Sequence, residues 1–403
     1  MASTAVTPDQ YAPVIAVTDR VGEGSTNGAQ VFASALLLQL AQWFDLTIVA
    51  AHADDAPPCL ANRLLRAASG TDDPHLACAV VSKTLLDSTS LIYNLGGTSF
   101  SCALSAALHK RRPAVPLVNH FQVLLDACAR YEGWDPARAT ELASDQRELA
   151  ARAERNLFPS FSELSTAASA WELTEAQNYV IPNAFVGADV GECPSPHRAP
   201  FTFLAAGRFG DYSKGADLLY RAFADLHRQH PSVRLEIASE DRRFLDLLKP
   251  VSPGSWTLLG WLSRAELLRR MRAADVVVVP SRYEPFGLIA IEAMAMGTPV
   301  VAMAVGGLPE IVCHEVTGWL SPPEEGSLGL RIAMEAALGD RPRTVAMGQE
   351  GQRVVAREFS LDRVGQAVRS HLQNARCRTG RTSIEAYLSG LSAFLVDSDS
   401  TLT

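Results

Sequence analysis

Residues 275–305, DVVVVPSRYEPFGLIAIEAMAMGTPVVAMAV, constrain the fold more than any other stretch of this 403-residue chain. Four consecutive valines before Pro280 predict a short strand that is apolar on both faces, as in the interior of a parallel sheet. A loop follows. Gly287 then opens an apolar stretch over residues 288–296 with helical character, and Gly297 is the expected C-terminal cap. Residues 299–305 read as the next strand. The order strand, loop, helix, strand belongs to an α/β fold, and the loop lies at the carboxyl end of a strand, where open α/β sheets bind their ligands.

That loop carries chemistry. The first amides of the following helix, near Phe286, Gly287 and Leu288, lack partners within the helix and suit an anion such as a diphosphate. Glu284 and Glu292 stand eight residues apart, one in the loop and one about a turn into the helix. Both can face one ligand, and carboxylates accept hydrogen bonds from vicinal hydroxyls, of which a nucleotide sugar has two sets. Taken singly, each acid is equally explained by the positive end of a helix.

Residues 281–312 resemble the E-x7-E signature of the retaining glycosyltransferases of family 4, through Glu284, Glu292 and the residues between them. Further motifs match in order. Residues 258–262 (LLGWL), followed by Ser263, Glu266, Leu267 and Ala274, are similar to the family's "LGxxSxxEL … AD" run. Gly306, Gly307, Pro309, Glu310, Ile311 and Val312, then Thr317 and Gly318, are similar to its "GGxxEIV … TG" element. The resemblance implies the GT-B fold, an α/β architecture of two Rossmann-like domains facing each other across a cleft. On that basis residues 1–184 are expected to form an acceptor-binding domain and residues 185–360 a donor-binding domain. Residues 361–403 would be a helix and tail returning to the first domain. The family's "PNG" junction motif is altered here, since Asn183 is followed by Ala184.

In the second block a strand over residues 201–206 runs into Gly207 and Arg208, with Lys214 and Gly215 six and seven residues after the arginine. A guanidinium and an ammonium at a strand end suit a diphosphate, although spacing alone fits two surface charges equally well. The resemblance assigns Arg208 and Lys214 to a phosphate clamp and Leu262 to the place where the backbone meets the nucleobase. It gives Glu284 the hydroxyls of the transferred sugar and Glu292 the ribose. The donor-binding set is therefore Gly28, Arg208, Lys214, Leu262, Glu284, Phe286, Gly287, Leu288 and Glu292.

The first block shows strand candidates at residues 14–18, 46–51, 77–81, 91–94, 116–119, 157–159 and 179–182, and a polar helix over 135–155. Gly22, Gly24 and Gly28 follow the first strand. G-x-G-x-x-x-G is one residue longer than a dinucleotide fingerprint, so an NAD(P)-dependent oxidoreductase is a rival reading. The resemblance instead makes Gly28 the second glycine of the family's "GG" loop, with Asn27 in place of the first. It also gives His120, at the carboxyl end of its strand, a contact with the transferred sugar. The catalytic set is then His120, Arg208, Lys214 and Glu284. Asn94, Gly96, Gly97 and Phe121, with the segment after Phe121, are expected on the acceptor side.

A net charge of −8 argues against a nucleic-acid partner and against docking on anionic membranes. Residues 1–17 lack the basic start and apolar core of a signal peptide, which predicts a cytoplasmic protein. Seven cysteines without a C-x-x-C pair are expected to be reduced. Asp397 and Asp399 form a D-x-D in a Ser/Thr-rich tail, expected to be solvated rather than metal-binding.

The expected activity is transfer of a sugar from a nucleotide sugar, UDP-linked by preference, to a hydroxyl of a soluble small molecule or carbohydrate. The resemblance implies retention and an α-linkage, with no cofactor and no metal. A glycosidase, which also uses two carboxylates, has no need of the phosphate site. A GT-B subunit that has lost catalysis is the remaining alternative, against which stands the joint presence of Arg208, Lys214, Glu284 and Glu292.

Overall fold

The computed structural model describes residues 13–21, 28–53, 64–66, 78, 81–133, 135–173, 177–187 and 200–377. Gly22, Gly24, Asn27, Trp134 and residues 378–403, with the D-x-D, lie outside the described residues. Strands β1 (Val14–Val21), β2 (Leu46–Ala53), β3 (Leu64–Arg66), β4 (Leu91–Gly96), β5 (Leu117–Phe121), β6 (Arg155–Phe158) and β7 (Asn178–Val180) form one sheet, in the order β3-β2-β1-β4-β5-β6-β7. Between them run helices α1 (Gly28–Leu40), α2 (Lys83–Ser88), α3 (Ser99–Arg111), α4 (Leu125–Glu132), α5 (Pro136–Arg152) and α6 (Phe161–Trp171).

A second sheet, ordered β10-β9-β8-β11-β12-β13, contains β8 (Thr202–Ala206), β9 (Arg234–Ala238), β10 (Trp256–Leu258), β11 (Val276–Val279), β12 (Val300–Met303) and β13 (Gly318–Ser321). Helices α7 (Ala216–Gln229), α8 (Arg264–Ala273), α9 (Leu288–Ala295), α10 (Leu308–Ile311), α11 (Gly326–Gly339) and α12 (Arg341–Glu358) connect and follow its strands. All the pairings in both sheets are parallel. Strand order reverses between β1 and β4 in the first sheet and between β8 and β11 in the second, which places a ligand crevice at the carboxyl ends of those strands.

The four valines of β11 explain why the second sheet is buried on both faces. Val276 and Val278 pack with Phe203, Phe223 and Met334 on one side. Val277 and Val279 pack with Met271, Met294 and Ile291 on the other, so alternation along the strand feeds two separate apolar layers. The final helix, α13 (Leu361–Cys377), leaves that half and buries Val364, Val368, Leu372 and Ala375 against Val14, Tyr93 and Val118 of the first sheet. Those four residues recur at helical spacing on one face. Gln39 of α1 donates to Asp362 at 2.8 Å, and Phe185 pairs with Ser360 in a short parallel bridge where the chain crosses between the halves.

Of the expected strand over residues 77–81, only Cys78 and Val81 are described, and Cys78 is helical; a five-residue apolar stretch without periodicity suits either element. Cys78, Cys102, Cys128 and Cys313 are free thiols. Among the described residues no helix is long and apolar enough to cross a membrane.

Candidate functional site

A cavity of about 590 Å³ opens where the carboxyl ends of the second sheet meet the start of α1. Its walls include Gly28, Arg208, Lys214, Leu262, Glu284, Leu288 and Glu292, so seven of the nine expected donor-binding residues come together across more than 260 positions of sequence. Phe286 and Gly287 do not reach it. Phe286 is buried in the core, edge-on to Phe359, and Gly287 caps α9 behind it with φ +117°.

Local geometry explains the convergence. Lys214 ends a short 3-10 turn, Tyr212–Lys214, and the next residue, Gly215, lies so close to the end of β11 that an added Cβ would stand 2.0 Å from the Pro280 carbonyl oxygen. Arg282 locks that turn to the β11 loop through a bidentate pair with Asp217 at 2.7 and 2.8 Å and a stack over the Tyr212 ring. Glu284 is thereby brought to Lys214, whose ammonium donates to its Oε2 at 2.8 Å. The pair is largely shielded, at 22% and 14% side-chain exposure. Below it, Gly307 N donates to Glu284 O at 2.9 Å. Arg208 is the exposed cation of the set and pairs with Asp211 at 3.0 Å.

Glu292 is buried and forked to Arg264, whose other guanidinium nitrogen donates to Val186 O. Burial raises the Glu292 pKa, and the Arg264 charge and hydrogen bond oppose that. Arg264 and Trp261 both line the cavity, the latter with its ring 41% exposed; sequence reasoning assigned neither. Arg264 lies 28 positions from its partner and carries no local signal. Across the cavity, a Cβ on Gly28 would meet Leu288 at 3.1 Å, so the amino-terminal ends of α1 and α9 face each other over the same space. Two helix N-termini and three cations beside two carboxylates suit a polyanion bearing hydroxyl groups.

His120 does not line the cavity; it lies within β5 and is fully buried. Its Nδ1 shares a hydrogen bond with the Tyr93 hydroxyl at 2.8 Å, and Phe32 packs edge-on at 6.0 Å. Desolvation and then the nearby His371 lower its pKa to about 3. Because this is below the unfolded value near 6.5, its contribution to stability is complete above that pH and is lost as pH falls toward 3. Lowering the pH from 7 to 5 should therefore cost on the order of 2 kcal/mol through His120. Urea denaturation at the two pH values checks this: the difference should shrink by that amount in His120→Gln, and an equal difference in both proteins would contradict it.

Two of the residues expected on the acceptor side are likewise enclosed. Phe121 is core, packed against Phe158 and Trp171, and Asn94 is fully buried within β4. Side chains of a strand alternate faces and point away from its end, and these two point into the helical layers. Gly96 and Gly97 do lie at the carboxyl end of β4. There Asp19 of β1, which sequence reasoning also missed, accepts from Thr98 Oγ1 and Ser101 N beside Gly96. Burial raises the Asp19 pKa against these hydrogen bonds.

Comparison with known proteins agrees with this architecture. Residues 195–354 match the family "Glycosyl transferases group 1". A D-inositol 3-phosphate glycosyltransferase from Kineococcus radiotolerans is 30% identical over 273 residues, covering 59% of this chain and 62% of that one. The chain spans between about a third and three-fifths of the length of the first curated relatives it matches. Among solved structures, sucrose-phosphate synthase from Thermosynechococcus elongatus superposes with a TM-score of 0.71 at 23% identity, covering 91% of this chain and 100% of that one. Anabaena Alr3699/HepE in complex with UDP and glucose superposes with a TM-score of 0.67 at 20% identity, covering 90% and 99%. The fold is GT-B, and residues 195–354 are similar to the glycosyl transferases group 1 family.

Proposed function

We propose that this chain is a retaining glycosyltransferase that moves a sugar from a nucleotide sugar, UDP-linked by preference, to a hydroxyl of a soluble small molecule, forming an α-glycosidic bond. The observation that carries this reading is the meeting of Arg208, Lys214 and two helix N-termini with Glu284 and Glu292 around one cavity. In the proposed complex the diphosphate takes Arg208, Lys214 and the α9 amides. Glu284 receives the sugar hydroxyls and Glu292 the ribose. Trp261 and Leu262, on the wall of the same cavity, would supply an apolar surface for the base, on which an exposed indole can stack. The match to a glycosyltransferase group 1 domain supports the class, and the UDP and glucose of the Alr3699/HepE complex support the donor. The inositol phosphate glycosyltransferase relative supports a small polyol as acceptor.

In the proposed reaction the acceptor oxygen bonds to the anomeric carbon from the side the nucleotide leaves. The bond from that carbon to the phosphate oxygen breaks, and the departing oxygen takes the acceptor proton. Arg208, Lys214 and the helix-end amides meet the charge that develops on the leaving diphosphate. No side chain is then needed as a base, and His120, neutral and enclosed, stands outside these steps.

The test is a thermal-shift and turnover screen against UDP-, GDP-, ADP- and dTDP-sugars with NAD and NADP alongside. Stabilisation by one nucleotide-sugar class with release of its nucleotide is expected, and stabilisation by NAD or NADP alone would return the dinucleotide reading. Turnover should persist in EDTA, because the cations that offset the diphosphate are side chains. Activity lost on chelation and restored only by a divalent metal contradicts that part of the proposal.

A further inference from the structure

The loop that carries Glu284 and the turn that carries Lys214 belong to the second half of the molecule, yet both are held by the first. Tyr283 donates its hydroxyl to Glu163 Oε1 at 2.9 Å, and its ring stacks on Tyr131 with centroids 5.3 Å apart and planes 6° from parallel. On the other side of Glu284, the Pro285 carbonyl accepts from Ser160 Oγ at 2.7 Å. Glu132, at the end of α4, accepts from the amides of Tyr212 and Ser213 at 3.0 and 3.2 Å, immediately before Lys214.

Ser160 and Glu163 open α6 with the S-x-x-E spacing of a capping box, and Ser160 Oγ does accept from Glu163 N at 3.1 Å. The glutamate does not return to the cap. It accepts instead from Leu124 N at 3.1 Å and from Tyr283. The amides at the start of α6 are taken by Glu310 of α10, across the cleft, at 2.8 Å from Phe161 N and 2.9 Å from Ser162 N. A motif that ordinarily closes on itself is thus divided between the two halves.

We infer that Glu132 and the Ser160–Glu163 turn are positioning groups that set Lys214 and Glu284 from across the cleft, with Tyr283 as the contact through which Glu163 acts. None of them lines the donor cavity, so each acts through the loop it holds. The assignment rests on the proposed function, in which Lys214 meets the diphosphate and Glu284 the sugar. It follows that the two grips govern different parts of one donor. Loosening Glu132 releases the phosphate cation, and loosening Tyr283 releases the sugar carboxylate. Burial drives the Glu163 pKa up to about 7 against the Tyr283 hydroxyl and the Leu124 amide, with Asp126 and Glu284 adding to the rise, so the grip is held by a group with little access to solvent.

Two mild variants separate these roles. Tyr283→Phe keeps the ring stack and removes one hydroxyl; Glu132→Ala acts at a helix end. With the donor found in the screen, Tyr283→Phe should lower kcat about tenfold, the value of one buried hydrogen bond, and leave nucleotide affinity within about twofold. Glu132→Ala should instead weaken nucleotide binding about fivefold, as expected for partial loss of one charge-assisted phosphate contact. Equal effects of both variants on affinity and turnover would reduce the contacts to general structural support and overturn the inference. Hydrogen exchange supplies a readout independent of turnover: amides of residues 281–287 should exchange faster in Tyr283→Phe and those of 212–215 in Glu132→Ala. Unchanged exchange in those segments overturns the inference even if wild-type protein turns over no nucleotide sugar, an outcome that by itself counts only against the proposed function.

Discussion

Replacing Glu284 with alanine is expected to lower the turnover of sugar transfer about 100-fold, the loss of two charge-assisted hydrogen bonds worth ~1.5 kcal/mol each. In the unliganded cavity this carboxylate accepts from Lys214 at 2.8 Å and from Ser281 Oγ at 3.4 Å. In the proposed complex the donor would take Lys214 onto its diphosphate and return sugar hydroxyls to Glu284, so the same oxygens would remain satisfied. Alanine preserves the backbone bond from Gly307 N to Glu284 O, and the loop therefore keeps its course. Affinity for the free nucleotide should consequently change far less than turnover. Glu284→Gln, which keeps one acceptor, should fall between alanine and wild type. Full turnover in the alanine variant would remove Glu284 from the site.

Gly306→Ala is expected to cost about 3 kcal/mol of stability, combining left-handed backbone strain with overpacking, and to abolish transfer. At φ +56° the position disfavours any side chain, and an added Cβ would stand 1.9 Å from Glu284 O. The obstructing atom is backbone, so no rotamer change relieves it. The loop must move away, taking Glu284 from Lys214 and breaking the Gly307 hydrogen bond. A urea unfolding midpoint and a turnover assay check the two consequences together. Wild-type stability and activity in this variant would mean that the close approach of this turn to the loop is dispensable.

The sequence was most informative where a residue's role depends on its immediate neighbours. Strand β11 is visible in four valines, and Gly297 ends the following helix with φ +77°, as its position after an apolar stretch foretells. Residues 275–305 fold as strand, loop, helix and strand. Of the expected donor-binding residues, Arg208, Lys214, Glu284 and Glu292 reach one cavity because the first three lie in the connections that follow β8 and β11 and the last lies in the helix after β11, at the carboxyl edge of a parallel sheet. His120, Asn94 and Phe121 are buried and do not line that cavity, because nearness to a strand's carboxyl end does not decide which face of the sheet a side chain takes. Arg264 and Asp19 were invisible because their partners lie far along the chain, and Trp261 because its exposure on the cavity wall has no local signal. Glu163 offered the S-x-x-E pattern, which indicates a helix start but not that the carboxylate is diverted to another part of the molecule.

Among the described residues, the segments that join the two halves, at residues 185–187 and 359–361, lie side by side. Phe185 N donates to Phe359 O at 2.8 Å, and Phe185 bridges to Ser360 just before the last helix settles on the first sheet. A body joined by one strap can twist and slide as well as swing; joined by two adjacent straps, it keeps chiefly the swing. Arg264 fastens Glu292 to Val186, the residue next to Phe185, so the carboxylate proposed to take the ribose is tied to the strap itself.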